Sequence, residues 1–170
     1  PGRNLNLVAE FTILLTLGIM KKLIPGIKWF YDGGWNEWLD FHTNFMTEEL
    51  KGKQVGLIGF GNIGKRVSKL FNAFDANVVA YDPFVDDYEI YKHLNVKKIG
   101  LEDLLKTSDV VSLHMNVSED TIGLIGEREI SMMKPTAYII NTARAAVIDH
   151  DALYNALKNK KIAGVAMDVY

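Results

Sequence analysis

The amino-acid sequence predicts an α/β domain, a doubly wound parallel sheet with helices on both faces, in three layers. Two observations predict it. From Gln54 onward, short aliphatic and β-branched runs alternate with segments whose apolar residues recur at helical spacing. The first of these runs leads directly into a glycine-rich turn, "GFGNIGKRV", which opens a helix-compatible segment. Strands that alternate with helices are typical of parallel sheets, which are buried on both faces.

The repeating part of the chain divides into predicted strands and helices in strict alternation. The strands are expected at residues 54–58, 77–81, 96–99, 109–115, 137–141 and 162–169. The helices are expected at residues 62–74, 88–94, 100–108, 126–133 and 149–160. Two successive mononucleotide-binding halves, the second beginning at "DVVSLH", account for this length of alternation.

The first fifty residues have a different character, and we separate residues 1–50 from a core at 51–170. Asn4 can cap a helix running to about Leu23, which Pro25-Gly26 is expected to stop. This helix is apolar around nearly its whole circumference, which predicts partners on more than one side. Residues 29–45 resemble a loop and hold seven of the eighteen aromatic residues. They either cover the domain's own surface or form an arm that crosses to a second subunit.

The composition of the chain argues against several classes of function. The chain has 170 residues, 48% of them hydrophobic, which suits one domain with a substantial core. A net charge of −2 gives no basic field for nucleic acid or an anionic membrane. The absence of cysteine excludes disulfides and thiolate metal sites, and we expect no metal and a cytoplasmic location. The most apolar stretch, Leu5 to Met20, is too short for a confident membrane span and contains Glu10.

Both ends of the chain suggest a domain excised from a longer protein. The chain begins at Pro1 rather than methionine, and it ends at Tyr170, directly after an apolar strand-like run. We therefore expect a single domain taken from a two-domain protein.

Gly59, Gly61 and Gly64 have the G-x-G-x-x-G spacing. The spacing alone is weak, but here it follows a predicted strand and opens a predicted helix. The first glycine allows a tight turn, the second lets the backbone approach a pyrophosphate, and the third lets helix and strand pack closely. The amides of Asn62 and Ile63 would then point at the anion from the helix N-terminus.

Asp82 ends the second predicted strand, where an acid can bind the two hydroxyls of an adenosine ribose. A 2′-phosphate would meet like charge there, so NAD is favoured over NADP. Asp82 could instead only start a turn before Pro83, and a methyltransferase could also carry a glycine loop and an acid. The loop, the strand, the acid and the full second half together predict a Rossmann-type dinucleotide-binding domain.

A longer series of motifs resembles one family. The chain contains, in order, "NLVAEF", "LKGKQVGLIGFGNIGKRV", "YDP", "SDVVSLH", "MMKPTAYIINTAR", "IDHDALYNALKNKKIAG" and "MDVY". This series is similar to the NAD-binding domain of the D-isomer-specific 2-hydroxyacid dehydrogenases, whose members include D-3-phosphoglycerate dehydrogenase. The resemblance covers nearly the whole chain.

The resemblance implies roles for single residues. Arg144, in "INTAR", matches the family's substrate-binding and catalytic arginine, and a guanidinium suits a 2-oxo acid carboxylate. Thr142 and Ala143 match residues whose backbones line the nicotinamide pocket. Asp168 matches the aspartate that contacts the nicotinamide carboxamide, and as an acid ending an apolar strand it is expected to be buried with a partner.

The loop after "VVSLH" is expected to carry the cofactor past His114 and Met115, near the nicotinamide ribose. His114 is not expected to be the catalytic base, because the family's proton donor lies elsewhere in the sequence. Asn116 replaces the proline that usually follows, and Ala145 replaces a common glycine after the arginine. We expect Asn116 to leave the loop's backbone contacts with the cofactor in place, and Ala145 to leave Arg144 undisturbed.

The family transfers a hydride between NAD(H) and a D-2-hydroxy or 2-oxo acid, with a histidine that exchanges a proton and a glutamate that orients it. Both lie beyond the position that Asp168 matches. The four histidines of this chain all precede Asp168. We therefore expect NAD binding, a second domain outside the chain that carries the proton donor, and little turnover by the 170-residue chain itself.

Three questions stay open at this point. The substrate is not fixed, and 3-phosphoglycerate is a candidate by family frequency. A non-catalytic, corepressor-like NAD-responsive module and a formate dehydrogenase are the alternatives to a D-2-hydroxyacid dehydrogenase. The first helix and the aromatic segment resemble the family's dimer-forming elements, so we expect a homodimer.

Overall fold

The computed structural model of the protein describes residues 4–34 and 47–169. Its strands are β1 Gln54–Ile58, β2 Asn77–Tyr81, β3 Lys97–Lys98, β4 Val110–Leu113, β5 Tyr138–Asn141 and β6 Gly164–Met167. Within the described ranges they form one six-stranded parallel sheet in the order β3-β2-β1-β4-β5-β6. The chain changes direction across the sheet between β1 and β4. Open sheets bind ligands at the carboxyl ends of the strands that flank such a point.

Helices cover both faces of the sheet. They are α1 Leu5–Met20, α2 Leu23–Tyr31, α3 Asn62–Ala73, α4 Tyr88–His93, α5 Leu101–Thr107, α6 Glu127–Met132 and α7 His150–Lys158. A short 3-10 turn, Ala145–Val147, follows β5. Helix α1 packs along α3 and against β5 and β6, whereas α6 packs between α5 and α7. The expected three-layer, doubly wound α/β fold is confirmed.

Two hydrophobic cores lie on opposite faces of the sheet. Val55 and Leu57 of β1 join the core beneath α1 and α3, and Ile58 joins the core beneath α5, α6 and α7. In β5 the adjacent residues Ile139 and Ile140 divide in the same way. Because side chains alternate along a strand, a strand buried on both faces must be apolar at successive positions. This explains the continuous apolar runs of the central strands.

The predicted elements from residue 54 onward all occur, but several are shorter than expected. The strand expected at 109–115 is paired only from Val110 to Leu113, and the strand expected at 162–169 only from Gly164 to Met167. Asp109 lies just before the paired residues of β4. Its amide donates to the Gln54 carbonyl at 2.8 Å, and its side chain accepts from the Gln54 amide at 2.9 Å. Strand length is set by the paired neighbour, which a single run of residues does not report.

The expected first helix is wrong in its end point. Helix α1 stops at Met20, because Lys22 adopts a left-handed conformation with φ 50°. Helix α2 then runs through Pro25 and Gly26, with the Gly26 amide donating to the Lys22 carbonyl at 2.9 Å. Proline is tolerated in a first helical turn, where amides have no intrahelical acceptor.

The neighbouring expectations have mixed outcomes. Asn4 precedes α1, but its side chain makes no capping hydrogen bond. Residues 29–31 belong to α2 rather than to a loop, and residues 35–46 of the aromatic segment lie outside the described residues. Across the described ranges, no helix combines the length and the hydropathy that a membrane crossing needs.

Candidate functional site

The three glycines of the loop between β1 and α3 differ in what surrounds them. Gly59 has φ 95°, and a Cβ there would lie 2.7 Å from the His114 carbonyl. A Cβ on Gly64 would collide with the Gly59 carbonyl oxygen. A Cβ on Gly61 would meet no atom within 4 Å. The first and third glycines are therefore required by the protein's own packing. The second faces open space, where a ligand could approach the backbone of the loop.

Helix α3 begins directly at this open space. Gly61 is its N-cap and accepts a hydrogen bond from the Lys65 amide at 2.9 Å, so the helix starts cleanly at Asn62. The amides of Asn62 and Ile63 lie in the first turn, where no intrahelical carbonyl can accept from them. Together with the helix dipole they form an N-terminal site suited to an anion.

Asp82 follows β2 and is directly connected to the glycine loop. Its Oδ2 atom accepts a hydrogen bond from the Phe60 amide at 2.7 Å. Its Oδ1 atom accepts from the amides of Phe84 at 2.8 Å and Val85 at 3.1 Å. The side chain is only 8% exposed. The carboxylate thus stays at the edge of the loop in a fixed orientation, with its remaining acceptor capacity available to a bound hydroxyl.

A cavity of about 610 Å³ opens between the ends of β1, β2 and β4. Its lining includes five of the predicted site residues, which are Gly59, Gly61, Asp82, His114 and Met115. Pro83, Phe84, Thr121 and Leu124 also line it. The volume and the mixed lining suit the adenosine half of a dinucleotide.

His114, one of the residues that line this cavity, is held by a single side-chain contact. Its Nε2 atom lies 2.9 Å from the Ser112 hydroxyl, and its Nδ1 atom is buried with no hydrogen-bond partner among the described residues. Burial lowers the pKa of His114 from 6.5 to about 4. The imidazole is therefore neutral at pH 7, and the expectation that it is not the catalytic base stays a prediction.

A second group of predicted residues lies at the ends of β5 and β6, outside the lining of this cavity. Thr142 and Ala143 are buried, and Arg144 is exposed. One guanidinium nitrogen of Arg144 donates to the Ala143 carbonyl at 2.6 Å. No ion pair involves Arg144 within residues 4–34 and 47–169. Its charge is accordingly available to a carboxylate ligand.

Asp168 differs from expectation. Its amide donates to the Asn141 carbonyl at 3.3 Å, so its position beside β5 is fixed, but its side chain is exposed rather than buried. The reason is its place just past the end of β6, a strand that is itself only partly covered. The carboxylate needs no partner within the domain and points to solvent beside the site strands.

Asn141 was not among the expected site residues, although it shapes the turn that carries Arg144. Its side chain is fully buried. The side-chain oxygen accepts from the Ala143 amide at 3.0 Å, and the side-chain nitrogen donates to the Arg144 carbonyl at 2.9 Å. The Asn141 side chain therefore stabilises the tight turn at 141–144 through two hydrogen bonds inside the turn. The signal that could have found it is an asparagine in the last position of an apolar strand, where a polar residue needs local partners.

Thr12 was also missed. Its hydroxyl lies 2.9 Å from the Thr142 hydroxyl, and both side chains are buried. This contact joins α1 to the end of β5 across 130 residues of sequence. A threonine on an apolar helix gives no signal of such a partner.

In the part of the chain that the structure describes, no cluster of three potential metal ligands occurs.

The comparisons with known proteins agree with this geometry. Residues 13–170 match the family described as D-isomer specific 2-hydroxyacid dehydrogenase, NAD binding domain. The whole chain aligns at 38% identity with a D-3-phosphoglycerate dehydrogenase of Archaeoglobus fulgidus and at 38% with a glyoxylate reductase of Thermofilum pendens. It covers 31% of the first relative and 50% of the second. The chain thus spans about half or less of these relatives' lengths.

Solved structures give the same result. The D-lactate dehydrogenase of Aquifex aeolicus, complexed with NAD and lactic acid, matches with a TM-score of 0.88 and 36% identity over 96% of this chain and 47% of that one. An acyclic imino acid reductase in complex with NADPH and D-Arg matches with a TM-score of 0.86 and 31% identity, over 95% of this chain and 50% of that one. The same domain architecture therefore occurs with either dinucleotide.

Proposed function

Since the chain belongs to the D-isomer specific 2-hydroxyacid dehydrogenase family as its NAD-binding domain, we propose that it serves an enzyme that transfers a hydride between NAD(H) and a small D-2-hydroxy or 2-oxo acid. The observation that carries the proposal is the pairing of an open second glycine, Gly61, with Asp82 hydrogen-bonded to the same loop. Together they present an anion site and a ribose acceptor on one rigid edge.

The cofactor would lie across the carboxyl ends of the strands. The amides of Asn62 and Ile63 would hold the pyrophosphate, and Asp82 would accept hydrogen bonds from the adenosine ribose. The adenosine would fill the cavity that His114 and Met115 help to line. The nicotinamide would then reach the ends of β5 and β6.

The nicotinamide end is where the substrate chemistry is expected. Thr142 and Ala143 would line the ring through their backbones, and Asp168 would accept from the carboxamide. Arg144, exposed and without an ion pair in the described ranges, would bind the substrate carboxylate and polarise its carbonyl. NAD supplies the hydride chemistry, and these residues supply position and charge.

The substrate class follows from the family, and the individual substrate does not. The relatives' names include glyoxylate reductase, D-3-phosphoglycerate dehydrogenase and D-lactate dehydrogenase, which share the 2-hydroxy or 2-oxo acid group. That shared group is the one Arg144 would hold. Phosphoglycerate stays one candidate among these, and a cytoplasmic location stays a prediction.

A homodimer through the first two helices is part of the proposal. Leu14 is 53% exposed and Ile24 is 73% exposed, on helices with further uncovered apolar side chains. Several exposed apolar side chains on two consecutive helices are consistent with an interface. Light scattering should give twice the chain mass, and Leu14→Glu should yield monomers. A wild-type monomer would refute the dimer without affecting the cofactor site.

Calorimetric titration with NAD and NADP tests the cofactor proposal. We expect saturable NAD binding and at least about tenfold weaker NADP binding, because the 2′-phosphate would meet the Asp82 carboxylate. Turnover of glyoxylate, lactate or phosphoglycerate by the isolated chain should be very low. Failure to bind NAD would overturn the proposal, and vigorous turnover would overturn the assignment of the proton donor to a separate domain.

A further inference from the structure

Helix α1 carries two buried threonines one turn apart, and only one of them contacts the site. The Thr12 hydroxyl donates to the Val8 carbonyl at 2.8 Å, and the Thr16 hydroxyl donates to the Thr12 carbonyl at 2.7 Å. Both side chains are fully buried. Thr12 additionally meets the Thr142 hydroxyl at 2.9 Å, whereas Thr16 makes no bond beyond its own helix within the described residues.

The direction of the Thr12–Thr142 bond follows from counting protons. A hydroxyl has one proton, and a backbone carbonyl can only accept. Because Thr12 gives its proton to the Val8 carbonyl, Thr142 must be the donor in the contact between the two hydroxyls. The Thr142 side chain is thereby held in one rotamer, pointing at α1.

The same short segment is held from its other side by Asn141. The Asn141 side chain bonds the Ala143 amide and the Arg144 carbonyl, and the Thr12 hydroxyl bonds the intervening Thr142. Each residue of the 141–144 turn therefore takes part in a side-chain hydrogen bond, and those that hold Thr142 and Ala143 are buried. Among the described residues, Thr12 supplies the one side chain from outside the turn that hydrogen-bonds to it, and it lies on a helix that precedes the sheet.

We propose that Thr12 is a positioning residue for the nicotinamide half of the cofactor, acting through Thr142 on the turn that carries Arg144. The inference rests on the proposed function, since it assumes that the nicotinamide lies against this turn. It adds that α1, rather than the sheet alone, sets the turn's geometry. Removing the Thr12 hydroxyl would leave a buried Thr142 proton without an acceptor and free the rotamer.

The test compares two ligands that differ only at the relevant end. ADP-ribose has the adenosine, pyrophosphate and second ribose of NADH but no nicotinamide. We expect Thr12→Val to weaken NADH binding to the chain by a few-fold to about tenfold, as loss of one buried hydrogen bond would. ADP-ribose affinity should be unchanged. Thr12→Ser, which keeps the hydroxyl, should restore NADH binding.

Thr16→Val is the matched control, because it removes an equally buried hydroxyl with the same bond to a preceding carbonyl. It should alter the affinity for neither ligand. If Thr12→Val does not fold, Thr142→Val removes the same contact from its other side and should show the same selective loss. Equal weakening of both ligands, no weakening of either, or equal affinity of the wild type for both would overturn the inference. Absence of any wild-type binding would instead refute the proposed function.

Discussion

The Asp82 carboxylate and the Phe60 amide lie 2.7 Å apart, and this bond ties the end of β2 to the middle of the glycine loop. The residue expected to choose between NAD and NADP is thus also the residue that holds the loop in shape. If the proposed site is right, selectivity for the ribose and the conformation of the pyrophosphate site both depend on one carboxylate. A change there should affect folding and cofactor binding together.

Replacing Asp82 with alanine tests that double role. We expect the free energy of unfolding to fall by roughly 1–3 kcal/mol, because the buried Phe60 amide loses its acceptor. NAD affinity should fall at least about tenfold, since the ribose acceptor is lost, and the preference for NAD over NADP should shrink. Urea unfolding and calorimetric titration measure the two effects.

Asp109→Ala is the matched control for Asp82→Ala. Asp109 also accepts from a strand amide, that of Gln54 at 2.9 Å, but at the opposite end of β1. Burial by itself would raise the pKa of Asp109, but the bonds from Lys134 and from Gln54 hold that pKa below its usual value. The control should lose stability while binding NAD normally. Loss of NAD binding in both variants would show that the effect of Asp82 is general destabilisation.

Replacing each of the three glycines with alanine should distinguish the glycines that the fold needs for packing from the one proposed to contact the cofactor. Gly61→Ala should leave the free energy of unfolding nearly unchanged, because its Cβ would enter open space, while weakening NAD binding at least about tenfold by blocking the pyrophosphate. Gly59→Ala should destabilise the fold by more than about 1 kcal/mol, because φ is positive and the Cβ meets the His114 carbonyl. Gly64→Ala should also destabilise it. Thermal unfolding and NAD titration measure the two effects. Normal NAD binding by Gly61→Ala would contradict the proposed role of Gly61 at the pyrophosphate.

The sequence alone was sufficient to predict those positions that depend on the spacing of residues along the chain. The glycine loop and Asp82 each occupy a position that the strand-helix pattern defines, whereas Arg144 in "INTAR" was singled out by the family resemblance. The break between α1 and α2 lies at Lys22, which is left-handed, and no residue type in the sequence marks it; the stop was wrongly predicted at the proline and glycine that follow. The Thr12–Thr142 contact joins residues that only the folded chain brings together. Exposure of Asp168 depends on how little covers β6, which the apolar run does not reveal.

Mild acid should destabilise the domain through His114. Burial lowers the pKa of His114 from 6.5 to about 4, so between these pH values the unfolded chain binds more protons than the folded chain. Stability therefore falls as the pH falls through that window, by up to on the order of 3 kcal/mol. Urea unfolding at pH 7 and pH 5 measures it. His114→Gln should flatten the dependence, and the exposed His93→Gln should keep the wild-type slope. An unchanged slope in His114→Gln would assign the effect to other groups.

Asn141 should matter to the fold and to the nicotinamide end, but not to the adenosine end. Asn141→Ala removes the acceptor of the Ala143 amide and leaves the Arg144 carbonyl with only the Val147 amide at 3.4 Å, and we expect a loss of about 2 kcal/mol in the free energy of unfolding. Asn141→Asp keeps an acceptor for the amide but brings a carboxylate against a carbonyl oxygen, so it should not rescue the turn. Both variants should bind NADH more weakly and ADP-ribose normally. Asn77→Ala, which removes an exposed bond to the Gly52 carbonyl at the other end of the sheet, should leave both affinities unchanged. Normal NADH binding by Asn141→Ala would show that the 141–144 turn does not place the cofactor.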